Sequence, residues 1–328
     1  MQEPSLIPIN EINFDRIEAQ GIRLNMARAD QIHDLASGNK IYKLRPIIEF
    51  AKANNFKQIL SFGGAYSNHI HALALLAQQH NIESVAIIRG EAKYAENPTL
   101  SDAQDAGMTL EFVCREEYKQ RNNQDYLAQL QKRFPLALII PEGGSSQLAI
   151  KGCAQMAKDI NQGSSNSFES NTLAIASGTG ATAAGLVCGL ADNQRLIAYS
   201  VLKDESLKSR IDDFISVENS THHDHYEIQN ADFGGYAKFD KPLLDFILSW
   251  LDQTGILLDP IYTSKLCRRV IQQIEAGEFL KGQSITLIHS GGLQGWRGMQ
   301  QRVEKLSGES AWMTINSYLK TNKTSITR

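Results

Sequence analysis

Cysteine is scarce in this sequence and nowhere paired. Cys114, Cys153, Cys188 and Cys267 lie far apart without a CxxC, so neither a zinc ribbon nor a disulfide framework is expected, and all four read as buried thiols. Long apolar runs are missing too: none approaches the roughly 20 residues that cross a bilayer. The opening MQEPSLIPIN lacks the basic start and apolar stretch of a signal peptide, which makes the cytoplasm the expected location. Positive charge is not in excess, since 33 Lys and Arg face 36 Asp and Glu for a formal net charge of -3. Without a positive field, neither nucleic acid nor an anionic membrane is an expected partner. No fixed-period repeat suggests a solenoid, and no GxSxG elbow supports a serine hydrolase. His222-His223-Asp224-His225 are neighbours in a polar loop with no fourth ligand at a recognised spacing, so no metal is expected.

What is present is ordinary globular composition, 42% hydrophobic and 21% charged, enough for a large core or two packed domains. From Leu44 onward, apolar runs of strand length alternate with segments of helical period, which predicts βαβ units, an α/β class and mostly parallel sheets. Strands are expected at Gln58–Phe62, Ser84–Arg89, Thr109–Val113, Leu136–Ile140, Leu173–Ser177, Leu196–Val201, Tyr226–Gln229 and Ser284–His289. The unbroken hydrophobicity of Leu136–Ile140 and Leu173–Ala176 fits strands covered on both faces. Helices are expected at Leu44–Asn54, Asn68–His80, Glu116–Arg133, Gln147–Asn161, Ala181–Ala191, Lys241–Asp252 and Thr263–Ala276. The polar stretch Asn161–Ser167 reads as a surface loop.

Five stations could carry chemistry. In Ser37-Gly38-Asn39-Lys40, two turn formers precede a lysine at the mouth of a helix. The positive helix end and a second cation, Lys43, push such an amine toward its neutral, nucleophilic form, as a Schiff-base lysine requires. Taken alone the motif is a solvated lysine on a turn, and its chemistry rests on the other stations. Gly63-Gly64-Ala65-Tyr66-Ser67-Asn68-His69 leaves a strand through two glycines and puts a hydroxyl, an amide and an imidazole at the strand's carboxyl end, where open α/β sheets bind ligands. Ser177-Gly178-Thr179-Gly180-Ala181-Thr182 follows an apolar strand and opens a small-residue helix, a cup for a phosphate. It lacks the Gly-Lys-Ser/Thr end of a P-loop, and Lys203 stands where a dinucleotide site wants an acid, which favours a phosphomonoester over a nucleotide. Asp259-Pro260-Ile261-Tyr262-Thr263 delivers a tyrosine and a threonine to a helix start, where Thr263 could be only a cap. His289-Ser290-Gly291-Gly292 ends another strand in glycines and would close the same crevice.

Together these stations resemble the pyridoxal-phosphate (PLP)-dependent 1-aminocyclopropane-1-carboxylate (ACC) deaminases and D-cysteine desulfhydrases, of the tryptophan synthase β-subunit fold. The family's GGNK-x-RKLE is matched by SGNKIYKLR, with Tyr42 for the arginine and Arg45 for the glutamate. The resemblance implies that Lys40 carries PLP, that Ser67 and Asn68 of the QSNH-like turn are active-site residues, and that Asn68 faces the cofactor's phenolic oxygen. His69 matches the desulfhydrase form. Gly178, Thr179, Gly180, Ala181 and Thr182 correspond to the phosphate loop, with one hydroxyl lost at Ala181. Tyr262 matches the DPVY tyrosine and Tyr236 the family's other active-site tyrosine. Departures fall at Arg28-Ala29-Asp30, where the family has KRED or KRDD, and at Tyr66, where it has glutamine.

The implied fold is a two-domain fold-type II arrangement of open, mostly parallel twisted sheets, with a small domain of residues 42–151 set into a large one formed by residues 1–41 and 152–328. A homodimer is implied as well. ACC deaminases carry glutamate after the DPVY tyrosine, against the pyridine nitrogen, and desulfhydrases a hydroxyl; Thr263 takes the second side. A hydroxyl cannot protonate that nitrogen as a carboxylic acid can, so prompt β-elimination is expected, most naturally from D-cysteine to pyruvate, ammonia and sulfide. ACC deamination, or a lyase acting on another D- or β-substituted amino acid, is the same-fold alternative. A nicotinamide or flavin oxidoreductase and a PLP-binding protein without turnover are the rivals of other classes; neither accounts for Lys40, Asn68, Tyr236 and Tyr262 together.

Overall fold

The alternation of apolar runs and helical segments becomes, in this computed structural model, two separate β-sheets wrapped by helices. The structure describes residues 6–33, 36, 38–163, 171–218, 220–235 and 237–321. Its strands are β1 (Ile9–Glu11), β2 (Arg23–Ala27), β3 (Gln58–Gly64), β4 (Glu83–Arg89), β5 (Thr109–Val113), β6 (Ala137–Ile139), β7 (Thr172–Ser177), β8 (Arg195–Ser200), β9 (Tyr226–Asn230) and β10 (Ser284–Ile288). The helices are α1 (Asn39–Ala53), α2 (Asn68–Gln79), α3 (Pro98–Asp105), α4 (Arg115–Lys119), α5 (Gln124–Arg133), α6 (Gln147–Gly163), α7 (Ala181–Cys188), α8 (Leu207–Val217), α9 (Lys241–Thr254), α10 (Thr263–Glu275), α11 (Gln300–Ser307) and α12 (Glu309–Thr321).

One sheet runs β1-β2-β10-β7-β8-β9, and only the β1–β2 pair in it is antiparallel. The other, β5-β4-β3-β6, is wholly parallel. Parallel pairing requires crossovers, which the intervening helices supply. Every residue of β7 is buried, with Leu173 and Ile175 in one apolar cluster and Ala174 and Ala176 in another. Successive side chains thus feed the cores on opposite faces, as expected for a strand covered on both sides.

The carrier of the Lys40 turn is set by close packing of helices. Pro46 inside α1 has no N–H for the carbonyl of Tyr42, and α6 approaches that carbonyl so closely that a Cβ at Gly152 would stand 1.8 Å from its oxygen. On its other side α6 meets α7, where a Cβ at Gly185 would lie 2.3 Å from Cys153 Cβ. Helix α6 therefore ties the helix bearing Lys40 to the helix that begins after Gly180.

Several expectations needed correction. The pair β1 and β2 was not foreseen because Arg23 and Asn25 break its apolar pattern; Asn25 is fully buried, its Nδ2 donating across the sheet to the Ser284 hydroxyl at 3.3 Å while its Oδ1 has no partner among the described residues. Leu136 precedes the strand and is 58% exposed, but the rest of Leu136–Ile140 packs on both faces, Ala137 and Ile139 into one apolar cluster and Leu138 and Ile140 into another, although β6 lies at the edge of its sheet. The segment Glu116–Arg133 is two helices, restarted where Asn123 Oδ1 accepts the N–H groups of Asp125 and Tyr126. Cys114 is exposed rather than buried, and Cys188 only partly covered. Asn161–Gly163 closes α6, while residues 164–167 of the polar stretch lie outside the described residues.

Candidate functional site

The turn before Lys40 exists because Gly38 permits it. Its φ is 73°, and a Cβ there would stand 1.9 Å from the carbonyl oxygen of Ser290, which accepts the Asn39 N–H at 3.3 Å. The His289-Ser290 strand end thereby pins the entrance of α1. Lys40 follows in the first helical turn, and its Nζ donates to Asn39 Oδ1 at 2.7 Å. Asn39 Nδ2 in turn donates to Thr182 Oγ1 at 2.8 Å, so the lysine is tied to the Gly178–Thr182 loop by one amide. Burial first and the nearby Lys43 second lower the Lys40 amine from 10.5 to about 7, against opposing pulls from Cys153 and Asp259. Lys43 is itself buried and lowered to about 8. Desolvation, which the local motif does not display, outweighs the like charge that it does.

The loop after β7 is braced from two sides. Ser145 donates to Thr179 Oγ1 at 2.8 Å, and Arg210 on α8 donates to the carbonyls of Gly178 and Thr179, each at 3.3 Å. Asp204, at 2.6 Å, and Ser206, at 2.5 Å, hold that guanidinium. Gly180 takes φ 88° and opens α7 behind it. Ser177 Oγ is buried without a hydrogen-bond partner among the described residues.

At the head of α10 the capping is done by another residue than Thr263. Asp259, 1% exposed, accepts the N–H groups of Ile261 at 3.0 Å, Tyr262 at 2.8 Å and Thr263 at 2.6 Å. Thr263 is fully buried, and its Oγ1 finds no partner among the described residues. The reading of Thr263 as only a cap is thus answered: Asp259 caps, and a threonine hydroxyl is left over. Tyr262 stands against the loop, since a Cβ at Gly178 would lie 3.6 Å from its ring.

Ser67 caps α2, its Oγ accepting Ile70 N–H at 3.3 Å. Asn68 accepts from Gln294 Nε2 at 2.7 Å and lies beside Gly292, where a Cβ would come within 2.8 Å of its amide nitrogen and 3.3 Å of Asp259 Cβ. The stations at Asn68, Asp259 and Gly291-Gly292 are therefore one corner. His69 is buried, with Nε2 2.8 Å from Ser61 Oγ and Nδ1 without a partner among the described residues; burial first, then Lys43 and Lys40, hold it well below the usual imidazole range. Tyr236 and Ser37 lie outside the described residues. Sequence reasoning missed Ser145, Arg210 and Gln294, which sit far along the chain from the groups they hold and carry no local signal. Asp259 was visible as Asp-Pro ahead of a helix. Among the described residues no cluster of three or more His, Cys, Asp or Glu is arranged for a metal.

No family model matches the chain. It is 27% identical, over 94% of its length and 82% of the relative's, to the mitochondrial bifunctional D-cysteine desulfhydrase/1-aminocyclopropane-1-carboxylate deaminase of Arabidopsis thaliana. The chain resembles that family along nearly its whole length. To the D-cysteine desulfhydrase of Klebsiella pneumoniae it is 25% identical over 83% of the chain and 87% of the relative. A solved ACC deaminase homologue superposes with a TM-score of 0.81 at 24% identity, covering 91% of this chain and 93% of that one, and shares its fold. The fold class is the fold-type II arrangement that the motifs implied.

Proposed function

We propose that the chain is a PLP-dependent lyase that converts D-cysteine and water to pyruvate, ammonia and sulfide. The observation that carries this is Lys40: an amine lowered to about 7, in the first turn of α1, bonded through Asn39 to the loop at Thr182. The residues present fit the cofactor, for Thr263 Oγ1 and Ser177 Oγ are buried hydroxyls with no partner among the described residues. When bound, PLP supplies an aldehyde for amine capture and an electron sink for charge developed at the substrate's α-carbon. Lys40 would hold it covalently. Gly178, Thr179, Gly180, Ala181 and Thr182 would take the phosphate, Thr263 would meet the ring nitrogen, and Asn68 the phenolic oxygen.

In this reading the freed Lys40 Nζ takes the α-proton, and a pKa near 7 suits a base that must shed and regain it at neutral pH. Asn39 orients the amine. Ser67, Asn68, His69, Tyr236 and Tyr262 form the substrate side, where the small amino acid is bound and water access restricted. Thr263, in place of a carboxylic acid, favours expulsion of a β-leaving group over opening of a strained ring. A relative that carries both activities keeps ACC deamination as the second reading. We also propose that residues 42–151 are the small domain, because β3 to β6 form a sheet of their own, and that the chain pairs as a homodimer.

The purified protein should show a visible cofactor absorbance band that borohydride abolishes and Lys40→Ala removes. Persistence of the band in Lys40→Ala would sink the assignment. Sulfide and keto acid from D-cysteine, assayed beside keto acid from ACC, separate the two readings; turnover of ACC alone would reverse the use made of Thr263.

A further inference from the structure

Lys265 is a cation to which the mechanism above gives no part. It lies on α10 two residues after Thr263 and is fully buried, yet its Nζ donates to two main-chain carbonyls, those of Asp232 and Gly235, each at 2.7 Å. A buried ammonium is costly unless its hydrogen bonds do something that an apolar side chain cannot. Here they seize a turn with unusual backbone: Phe233, Gly234, Gly235 and Ala237 have φ of 44°, 96°, 116° and 52°. Left-handed conformations at non-glycine residues persist only where surroundings over-determine them, and they gather at ligand sites.

The surroundings do so here. Asp232 N–H donates to Asn230 Oδ1 at 2.7 Å, Gly234 N–H donates to Asp232 Oδ1 at 2.6 Å, and the Arg268 guanidinium lies 4.6 Å from the centre of the Phe233 ring. Lys265 and Arg268 thus grip the turn from one face of α10. The turn also borders the site. A Cβ at Gly235 would be 4.0 Å from the Lys203 side chain, and the neighbouring Leu202 flanks Gly178 together with Tyr262.

We propose that Lys265 is a positioning residue for the substrate side of the pocket, its ammonium clamping the turn of residues 232–235, which leads into Tyr236 in the sequence, to the helix that starts at Thr263. The inference rests on the PLP reading and names what keeps the substrate wall in register with the cofactor end of α10.

The test is Lys265→Met, which keeps the length and removes the donors, beside Gly235→Ala, which strains the turn at φ 116° and leaves α10 untouched. In both, backbone amides at 232–235 and 237 should exchange hydrogen about tenfold faster. Affinity for PLP, titrated by the visible band, should stay within about twofold, while kcat/KM for D-cysteine falls about tenfold or more. Unchanged exchange at the turn, or PLP affinity falling in step with kcat/KM in both variants, would overturn the clamp. Absence of a Lys40-dependent band in the unaltered protein would instead overturn the cofactor reading, and the catalytic part of this proposal with it.

Discussion

Lys40 acquires its reactivity from where it sits. A lysine in water is neutral in roughly three parts in ten thousand at pH 7, whereas an amine lowered to about 7 is about half neutral there. The rate at which the cofactor-free protein takes up PLP, followed by absorbance, should therefore rise through pH 7 and level off above about 8 instead of climbing toward 10. Lys43→Met removes a like charge that lowers Lys40, so the midpoint should move to higher pH while staying below 10.5, because burial is the larger cause. A midpoint unmoved by that substitution would deny any coupling between the two amines. At this scale part of the candidate site was legible: Lys40, Asn68 and Thr263 stand in turns that the sequence shows, but each local motif had a plain structural reading and gained a role only from the other stations and the family resemblance. Arg210 and Ser145 could not be picked out, since an arginine on one helix and a serine on a distant loop become partners of Thr179 only when the chain is closed.

Among elements, the turn into α1 is the most demanding. Gly38→Ala would meet both a left-handed φ and the Ser290 carbonyl, and it should cost about 3 kcal/mol. For a chain of this size that is a melting midpoint about 4 °C lower by calorimetry, together with weakened PLP uptake. A variant that melts and binds as the unaltered protein does would show that the turn can relax. The helix after it was expected to begin at Leu44, five residues late, because Asn39 and Lys40 carry no apolar period; their helical state comes from packing of α1 against α6. β2 was missed for a related reason: the donor of Asn25, a polar residue inside the sheet, finds its acceptor only in Ser284 on the neighbouring β10.

For the whole molecule, the two sheets must be held in a fixed relation for the stations to converge. One bond between them is explicit: Arg297, beyond β10, pairs with Asp102 on α3, and His71 on α2 lies 2.8 Å from the same carboxylate. Burial would raise Asp102, but the hydrogen bonds from His71 and Arg297 prevail and hold it at about 2. Its folded-state value lies below its unfolded one, so the stabilisation is present above pH 4 and is lost as pH falls through 4 toward 2. Arg297→Ala should cost about 1 kcal/mol at pH 7, by denaturant melts, and roughly half of that at pH 2.5. An equal cost at both pH values would exclude the ionic contribution.

The sequence by itself determined the class of the fold, the order of most strands and helices, and the turns that carry the candidate site residues, because periodicity, capping and turn chemistry are local properties written in neighbouring residues. Only the tertiary structure decided that burial rather than the adjacent cation is the chief cause lowering Lys40, that Asp259 caps α10 and leaves the Thr263 hydroxyl over, and that Lys265 grips a turn thirty residues away. Desolvation and long-range hydrogen bonds depend on which distant segments close over a group, and no local pattern records that.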